Sequence, residues 1–380
     1  MTVFNIWDLE RVNIKPGVNF LNGINKKILL KFKSKRKLHE FLFKNEEISF
    51  STFNDLLKPS HIENYFVPIK IYLSIMDALG VSKEFLQKNI AGYKTAKGTN
   101  IVENPILPIE INPVLDMLFA HHVADGTVVN PKKGRLPYFA YRQFNEDYRI
   151  DYIKKIEYVF GKIKYRKNYF LKSTQLYCPA TLSSLFFKYY GVKIEDFLSE
   201  RARIPQIIFD KGKESMLAVL IAFIIDEGNI DSTQITIHLK NLELIEDLNK
   251  ICEKLNYRSK ITVGKENSHN YFRLNILREG MKKLYADYMS LNKKYPVINL
   301  RIKGEKIKNS FAIYDRKIYK TKGNKNIVLE ILKKESLSVN QLANRVNMTR
   351  QGIRYHVNNL IKEEKIKTID KSQLNWIYGV

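Results

Sequence analysis

Three features of the sequence predict an α+β protein whose core is built twice. Two apolar helices each end in an acid followed by Gly, 102 residues apart, at Asp125 and Glu227. Strand-like alternation and an amphipathic helix follow each of them. The last 56 residues read as three periodic helices and then two short strands. The predicted architecture is a duplicated core with paired central helices, flanked by an N-terminal helical domain and a C-terminal winged helix. Its expected divisions are 1–105 (a basic, helix-turn-helix-like module and linker), 106–205 and 206–305 (the two halves of the core), and 306–380 (a basic linker and the winged helix).

From Lys26 to Lys44 the chain carries eight cations against one Glu, with apolar residues at helical spacing, so a basic helix is expected there. A second periodic segment, Val67 to Leu79, stops at Gly80. Gly92 to Pro113 has three Pro and no helical period, and reads as an extended linker. Each half of the core then opens on its apolar helix, with a longer loop from Asn130 to Pro137 in the first half and a short turn at Asp231-Ser232 in the second. Arg301 to Lys325, with nine cations and two acids, is a basic connector. Beyond it, Asn326 to Lys334 is helical, Ser338 caps a second helix through Val346, and Thr349 caps a third that runs to about Glu363. Lys365 to Asp370 and Trp376 to Tyr378 are the strands of the wing.

Charge narrows the function. Lys+Arg 64 against Asp+Glu 39 gives +25, which makes a polyanion the expected partner, because each neutralised phosphate releases condensed counterions. Nucleic acid is favoured over membrane: the longest apolar run, Leu217 to Ile225, is too short for a span, and Asp8 and Glu10 leave no leader pattern at the start. Cys178 and Cys252 have no Cys or His at ligand spacing, which argues for a reducing, cytoplasmic setting and against zinc or a disulfide framework. No Gly-rich phosphate loop or Ser-His-Asp order is present.

The chemistry is expected at the central pair. Ala120 and Ala222 stand five positions before the acids, and Ala124 and Ala218 extend the small faces, so the two helices can approach closely and bring Asp125 and Glu227 together. The helix macrodipole disfavours negative charge in a last turn, and Mg²⁺ would compensate, since it binds one or two carboxylates and completes its shell with water and substrate phosphate. A plain helix stop is the alternative for one acid-Gly pair. Two on equivalent helices of a basic chain favour the metal. His121 and His122 are adjacent, point about 100° apart and read as packed side chains.

Leu118 to Gly126 (LFAHHVADG) and Leu220 to Gly228 (LIAFIIDEG) resemble the two signature helices of single-chain LAGLIDADG homing endonucleases, and Arg203 to Ile230 and Ile235 to Leu255 resemble the stretches around the second motif. The resemblance covers about residues 106 to 300. It implies a pseudo-twofold duplicated αββαββα core with paired central helices and a saddle-shaped antiparallel sheet laid in the DNA major groove, and Mg²⁺-dependent cutting of both strands by the metal-binding acids Asp125 and Glu227. The acid usually found before Ala in the first motif is Val123 here, and the matching position of the second is Ile225. The family also orders water with polar or Lys side chains on its strands, which points to Gln143 and Lys240 as further catalytic candidates.

For DNA contact, Lys132 to Lys172 holds twelve cations and four acids interleaved with aromatic residues, whereas Asn229 to Asn275 holds seven and six. The first half, through Lys132, Lys133, Arg135, Tyr141, Arg142, Lys164 and Arg166, is therefore expected to supply most phosphate contacts together with the N-terminal and C-terminal modules. In the last helix Ile353, Val357 and Leu360 form one stripe, and Arg350, Gln351, Arg354, Tyr355 and Asn358 face the other way, suited to base edges and phosphates as in winged-helix regulators. The leading expectation is a monomeric DNA endonuclease with no membrane and no obligate protein partner. A non-cleaving transcriptional regulator of the same fold and an RNA-binding intron maturase are the rivals. An intein is not expected from Met1-Thr2 and Gly379-Val380.

Overall fold

A computed structural model describes residues 2–44, 48–62, 65–96, 98, 100–129, 136–164, 174–179, 181–198, 200–266, 269–314, 323–346, 348–370 and 376–380. The chain divides into two compact units, Met1–Asn229 with Ile235–Arg301 and Ile230–Gln234 with Ile302–Val380. It is an α+β protein with a C-terminal winged helix.

The first unit opens with β1 (Val3–Phe4), β2 (Val12–Pro16), α1 (Val18–Phe32), α2 (Lys35–Leu42), α3 (Phe50–Leu56), α4 (Pro59–Ile62), β3 (Val67–Pro68), α5 (Ile69–Leu79), α6 (Lys83–Gln87), β4 (Ile90–Thr95), β5 (Ile101–Glu103) and β6 (Ile109–Glu110). The basic stretch is two helices, because Lys33 takes a left-handed conformation (φ 65°) and the Ser34 hydroxyl accepts the Lys37 N–H to start α2. Gly80, at φ 67°, stops α5 as its sequence position implies. The expected all-helical module and linker need correction. β2, β3, β4 and β5 form a sheet, and the supposed linker supplies β4, β5 and β6. Its Gly and Pro content hides short strands whose partners are distant: Asn13 pairs with Lys94, and Phe4 with Ile109.

Next come α7 (Pro113–Ala124), β7 (Gly126–Val129), β8 (Tyr138–Arg142), α8 (Glu146–Phe160), β9 (Lys162–Lys164), β10 (Gln175–Tyr177) and α9 (Thr181–Tyr189). After a short α10 (Gln206–Asp210), the order repeats as α11 (Lys213–Glu227), β11 (Gly228–Ile230), β12 (Gln234–Leu239), α12 (Leu242–Lys254), β13 (Ser259–Glu266), β14 (His269–Leu277) and α13 (Arg278–Lys294). The repeat is one of order, with different sheets. The second set makes a four-stranded sheet, β11-β12-β14-β13, whereas the first makes β10-β8-β7 and gives β9 to the N-terminal sheet, ordered β3-β2-β4-β5-β9. α7 and α11 pack against each other, and both are buried around their circumference, as their continuous apolar runs require.

The second unit holds α14 (Ile302–Tyr314), α15 (Asn324–Lys334), β15 (Leu337–Ser338), α16 (Val339–Val346), α17 (Arg350–Lys362), β16 (Lys367–Asp370) and β17 (Ile377–Gly379). The supposed connector is thus helical through Tyr314. β15-β17-β16 form the wing sheet, and Val328, Leu332, Leu342, Ile353, Val357 and Leu360 fill a core of the module's own.

Candidate nucleic-acid interface

At the helix junction, Asp125 caps α7 and Glu227 is the last residue of α11, both half-buried. The Gly after each acid is a steric necessity: a Cβ on Gly126 would lie 2.5 Å from the His122 carbonyl oxygen, and one on Gly228 2.4 Å from that of Ile224. The acid at the centre of the junction is a different one, Asp226. Its side chain is fully buried, and it accepts the His121 Nδ1–H from α7 and the Tyr141 hydroxyl from β8, each at 2.7 Å. The buried ammonium of Lys155 adds its charge; burial pulls its pKa down to about 8, and Asp226 opposes that fall. Tyr152 stacks on Tyr141 with ring centroids 4.2 Å apart, hydrogen-bonds His122 Nε2 and reaches Cys178 Sγ at 3.2 Å. Burial and the neighbouring His121 push His122 down to about 3, so it is neutral at physiological pH. Asp226 was missed because its partners lie 105 and 85 residues away in sequence. One signal was available: adjacent acids on a helix point about 100° apart, so Asp226 and Glu227 cannot share a role.

Asp125 and Glu227, the acids expected to hold Mg²⁺, stand half-buried at the two helix ends, and Asp226 is not available to join them. Asp226 spends its two oxygens on His121 and Tyr141, and Lys155 already answers its charge. Among the described residues no three His, Cys, Asp or Glu side chains are grouped to hold a metal. Gln143 follows β8, and its side chain opposes the rise that burial and Asp226 impose on the Tyr141 hydroxyl; Lys240 is exposed between β12 and α12.

The sheets offer polar faces. Tyr141 and Arg142 are neighbours on β8 and so point to opposite sides. Tyr141 is 1% exposed and belongs to the core, which removes it from the expected DNA contacts. Arg142 is exposed, stacks over Phe144 at 5.2 Å, and lies opposite Gln175 in the ladder. Lys164 sits on β9 in the other sheet, ion-paired with Glu103 at 3.5 Å, and so does not share a ladder with Arg142. Lys132, Lys133, Arg135 and Arg166 lie outside the described residues. The nearly neutral second half has a polar face that net charge did not reveal. The β13–β14 register puts Lys260 opposite Asn275 and Thr262 opposite Arg273. The Asn275 amide donates to Thr262 Oγ1 at 2.9 Å and accepts from Thr236 Oγ1 at 3.1 Å. Arg273 donates to the Tyr271 hydroxyl at 2.7 Å, its guanidinium 4.6 Å from that ring, which packs against His238 at 4.2 Å.

In the second unit the Thr349 hydroxyl accepts the Gly352 N–H at 3.0 Å and starts α17. Ile353, Val357 and Leu360 are buried, and Arg350, Gln351, Arg354, Tyr355 and Asn358 are turned away from that core, which leaves a row of hydrogen-bonding side chains facing solvent. Ser338 caps α16 through Gln341.

Residues 324–367 match the family model of winged helix-turn-helix DNA-binding domains. The C-terminal module is therefore a DNA-binding domain of that class. Among solved structures the chain is similar to full-length DUF199/WhiA from Thermatoga maritima, at TM-score 0.31 and 12% identity over 66% of this chain and 90% of that one. No curated protein matches it. No helix among the described residues is long and apolar enough to cross a membrane.

Proposed function

We propose that the protein is a sequence-specific, non-cleaving regulator that binds double-stranded DNA through α17. The observation that carries this reading is the solvent-facing row Arg350, Gln351, Arg354, Tyr355 and Asn358 on the third helix of a winged helix-turn-helix. Arg pairs bidentately with guanine, Gln and Asn pair with adenine, and the start of such a helix is the part that enters the major groove. The polar faces of the core, with Arg142 on one sheet and Arg273 on the other, would add contacts in the manner of the LAGLIDADG fold that the two signature helices resemble. Asp125 and Glu227 then serve as helix ends beside the buried Asp226 junction.

The test is selection from a random duplex library by the full-length chain, with and without Mg²⁺. The expected result is an enriched motif, recovered intact. Replacing Arg350 and Arg354 by Ala should weaken binding to that motif by about 1–3 kcal/mol for each bidentate Arg–guanine pair removed and leave the melting temperature unchanged. Absence of any enriched sequence overturns the reading. Duplex cleavage that disappears in the Asp125→Asn, Glu227→Gln variant replaces it with the nuclease.

A further inference from the structure

The N-terminal helices carry a charged surface that this reading does not use. Lys26, Lys27, Lys31 and Lys33 on and just after α1, and Arg36 and Lys37 on α2, face solvent, and the two helices pack against each other. Among the described residues only Arg36 of these six has an ion-pair partner, Glu40 at 3.5 Å, and both of those side chains are largely in solvent. A pair of that kind contributes little. The first turn of α2 holds Lys35, Arg36 and Lys37 and no acid, at the end of the helix where the macrodipole is already positive. Lys35 is further crowded by the charge of Lys58, which, after burial, lowers its pKa. Folding has concentrated like charges here instead of dispersing them, which an external polyanion would relieve.

The side chains indicate how that polyanion is met. Lys is a compact point charge that neutralises phosphate, whereas reading base edges calls for the forks and amides found on α17. We infer that the α1–α2 surface is a second contact for double-stranded DNA, sequence-independent and directed at the phosphate backbone. The inference deepens the DNA-binding reading above and rests on it. The duplex is favoured as the polyanion because the same chain carries a winged helix-turn-helix DNA-binding domain. Held on one chain, the two contacts raise each other's effective concentration on a duplex, so the basic surface adds affinity and the recognition helix adds selectivity.

Leu29, Leu30 and Phe41 are exposed among these cations, at 54%, 77% and 60%, so an anionic bilayer is the rival occupant and an arm of the test. The experiment compares the full-length protein with a Lys26→Gln, Lys27→Gln, Lys31→Gln, Lys37→Gln variant, after matching melting temperatures establish that the variant is folded. Affinity is measured from about 50 to about 200 mM salt, on the selected motif and on a scrambled duplex. Each phosphate contact contributes roughly 0.9 to the slope of log K against log salt, so the variant should lose about 3 to 4 from its slope. Both duplexes should weaken alike, leaving the ratio between them unchanged. An unaltered slope in a variant whose parent binds DNA overturns this inference alone. A collapse of the ratio also overturns it, by making the surface a reader of bases. Loss of binding to phosphatidylserine vesicles with an unaltered DNA slope assigns the surface to membranes. Failure of the parent on both duplexes overturns this inference and the DNA-binding reading together.

Discussion

The two halves of the core share an order of elements and differ in where they keep their polar groups. The first half turns them inward. His121, His122, Tyr141, Tyr152 and Lys155 are all buried around the Asp226 carboxylate that α11 contributes, and β9 is given up to the N-terminal sheet. The second half turns them outward, with the interior of its sheet made of Ile235, Ile237, Leu274 and Ile276, and with Thr236, His238, Tyr271 and Arg273 on the other face. The same helix-strand-strand plan can thus serve as a brace in one copy and as a presented surface in the other. Net charge along the chain is a poor guide to which is which, because it counts buried and exposed cations alike.

Breaking the brace should give the largest effect. Asp226→Ala leaves the His121 ring and the Lys155 ammonium buried without their acceptor and counter-charge, and removal of one partner from a buried charged cluster costs about 3–5 kcal/mol. Urea unfolding measures it. Asp226→Asn, which keeps an oxygen for the Tyr141 hydroxyl, should cost less. A loss below about 0.5 kcal/mol, typical of surface positions, would show that the junction is not a brace. No comparable position exists at the end of α7, where Ala124 occupies the place matching Asp226.

The brace should also show in the pH dependence of stability. His122 titrates near 3 in the folded state because burial disfavours its charged form. Unfolded, it titrates at about 6.5. As pH falls below that value the unfolded chain takes up a proton that the folded chain refuses, so stability declines by roughly 1.4 kcal/mol per pH unit until the folded value is reached. His122→Gln should remove this part of the acid sensitivity. On the alkaline side Lys155 releases its proton at about 8 when folded, but at about 10.4 when unfolded. Between those values the unfolded state holds more protons, so Lys155 makes stability rise with pH. The buried thiols of Cys178 and Cys252, pushed up to about 12, have the opposite sign above their ordinary range. The difference between the parent and Lys155→Met is therefore the quantity to follow. A flat difference from about pH 8 to 10 would remove Lys155 from the buried cluster.

Much of this architecture was legible in sequence, for local reasons. The acid-Gly ends of α7 and α11 are set by a contact four residues back along the chain, and the buried stripe of α17 by helical period. What stayed hidden depends on partners far away. The strands at Ile90–Thr95 and Ile101–Glu103 pair with Val12–Pro16 and Lys162–Lys164, and no local pattern in a Gly- and Pro-containing stretch announces that. The Asp226 junction draws its members from α7, β8, α8 and α11. Tyr141 is an instructive case, since strand alternation alone would have separated it from Arg142.

The smallest expected effect is also the sharpest test of the outward-facing half. Arg142 and Arg273 are exposed arginines on the two core sheets, but their support differs. Arg142 stacks on Phe144, which is itself 72% exposed, so that contact has no buried support. Arg273 is tied by a hydrogen bond and a ring contact to Tyr271, and Tyr271 is held between His238 and the backbone at Gly264, where a Cβ would lie 2.3 Å from the ring. A guanidinium already fixed in place gives up less side-chain entropy on binding, a saving of about 0.5–1.5 kcal/mol per immobilised side chain. Arg273→Ala should therefore weaken DNA binding more than Arg142→Ala, by up to about tenfold against about threefold, with neither change altering the melting temperature. Equal losses would make the preorganised cluster irrelevant. No loss from either would confine DNA contact to regions outside the core sheets, and the outward-facing half would then need another partner.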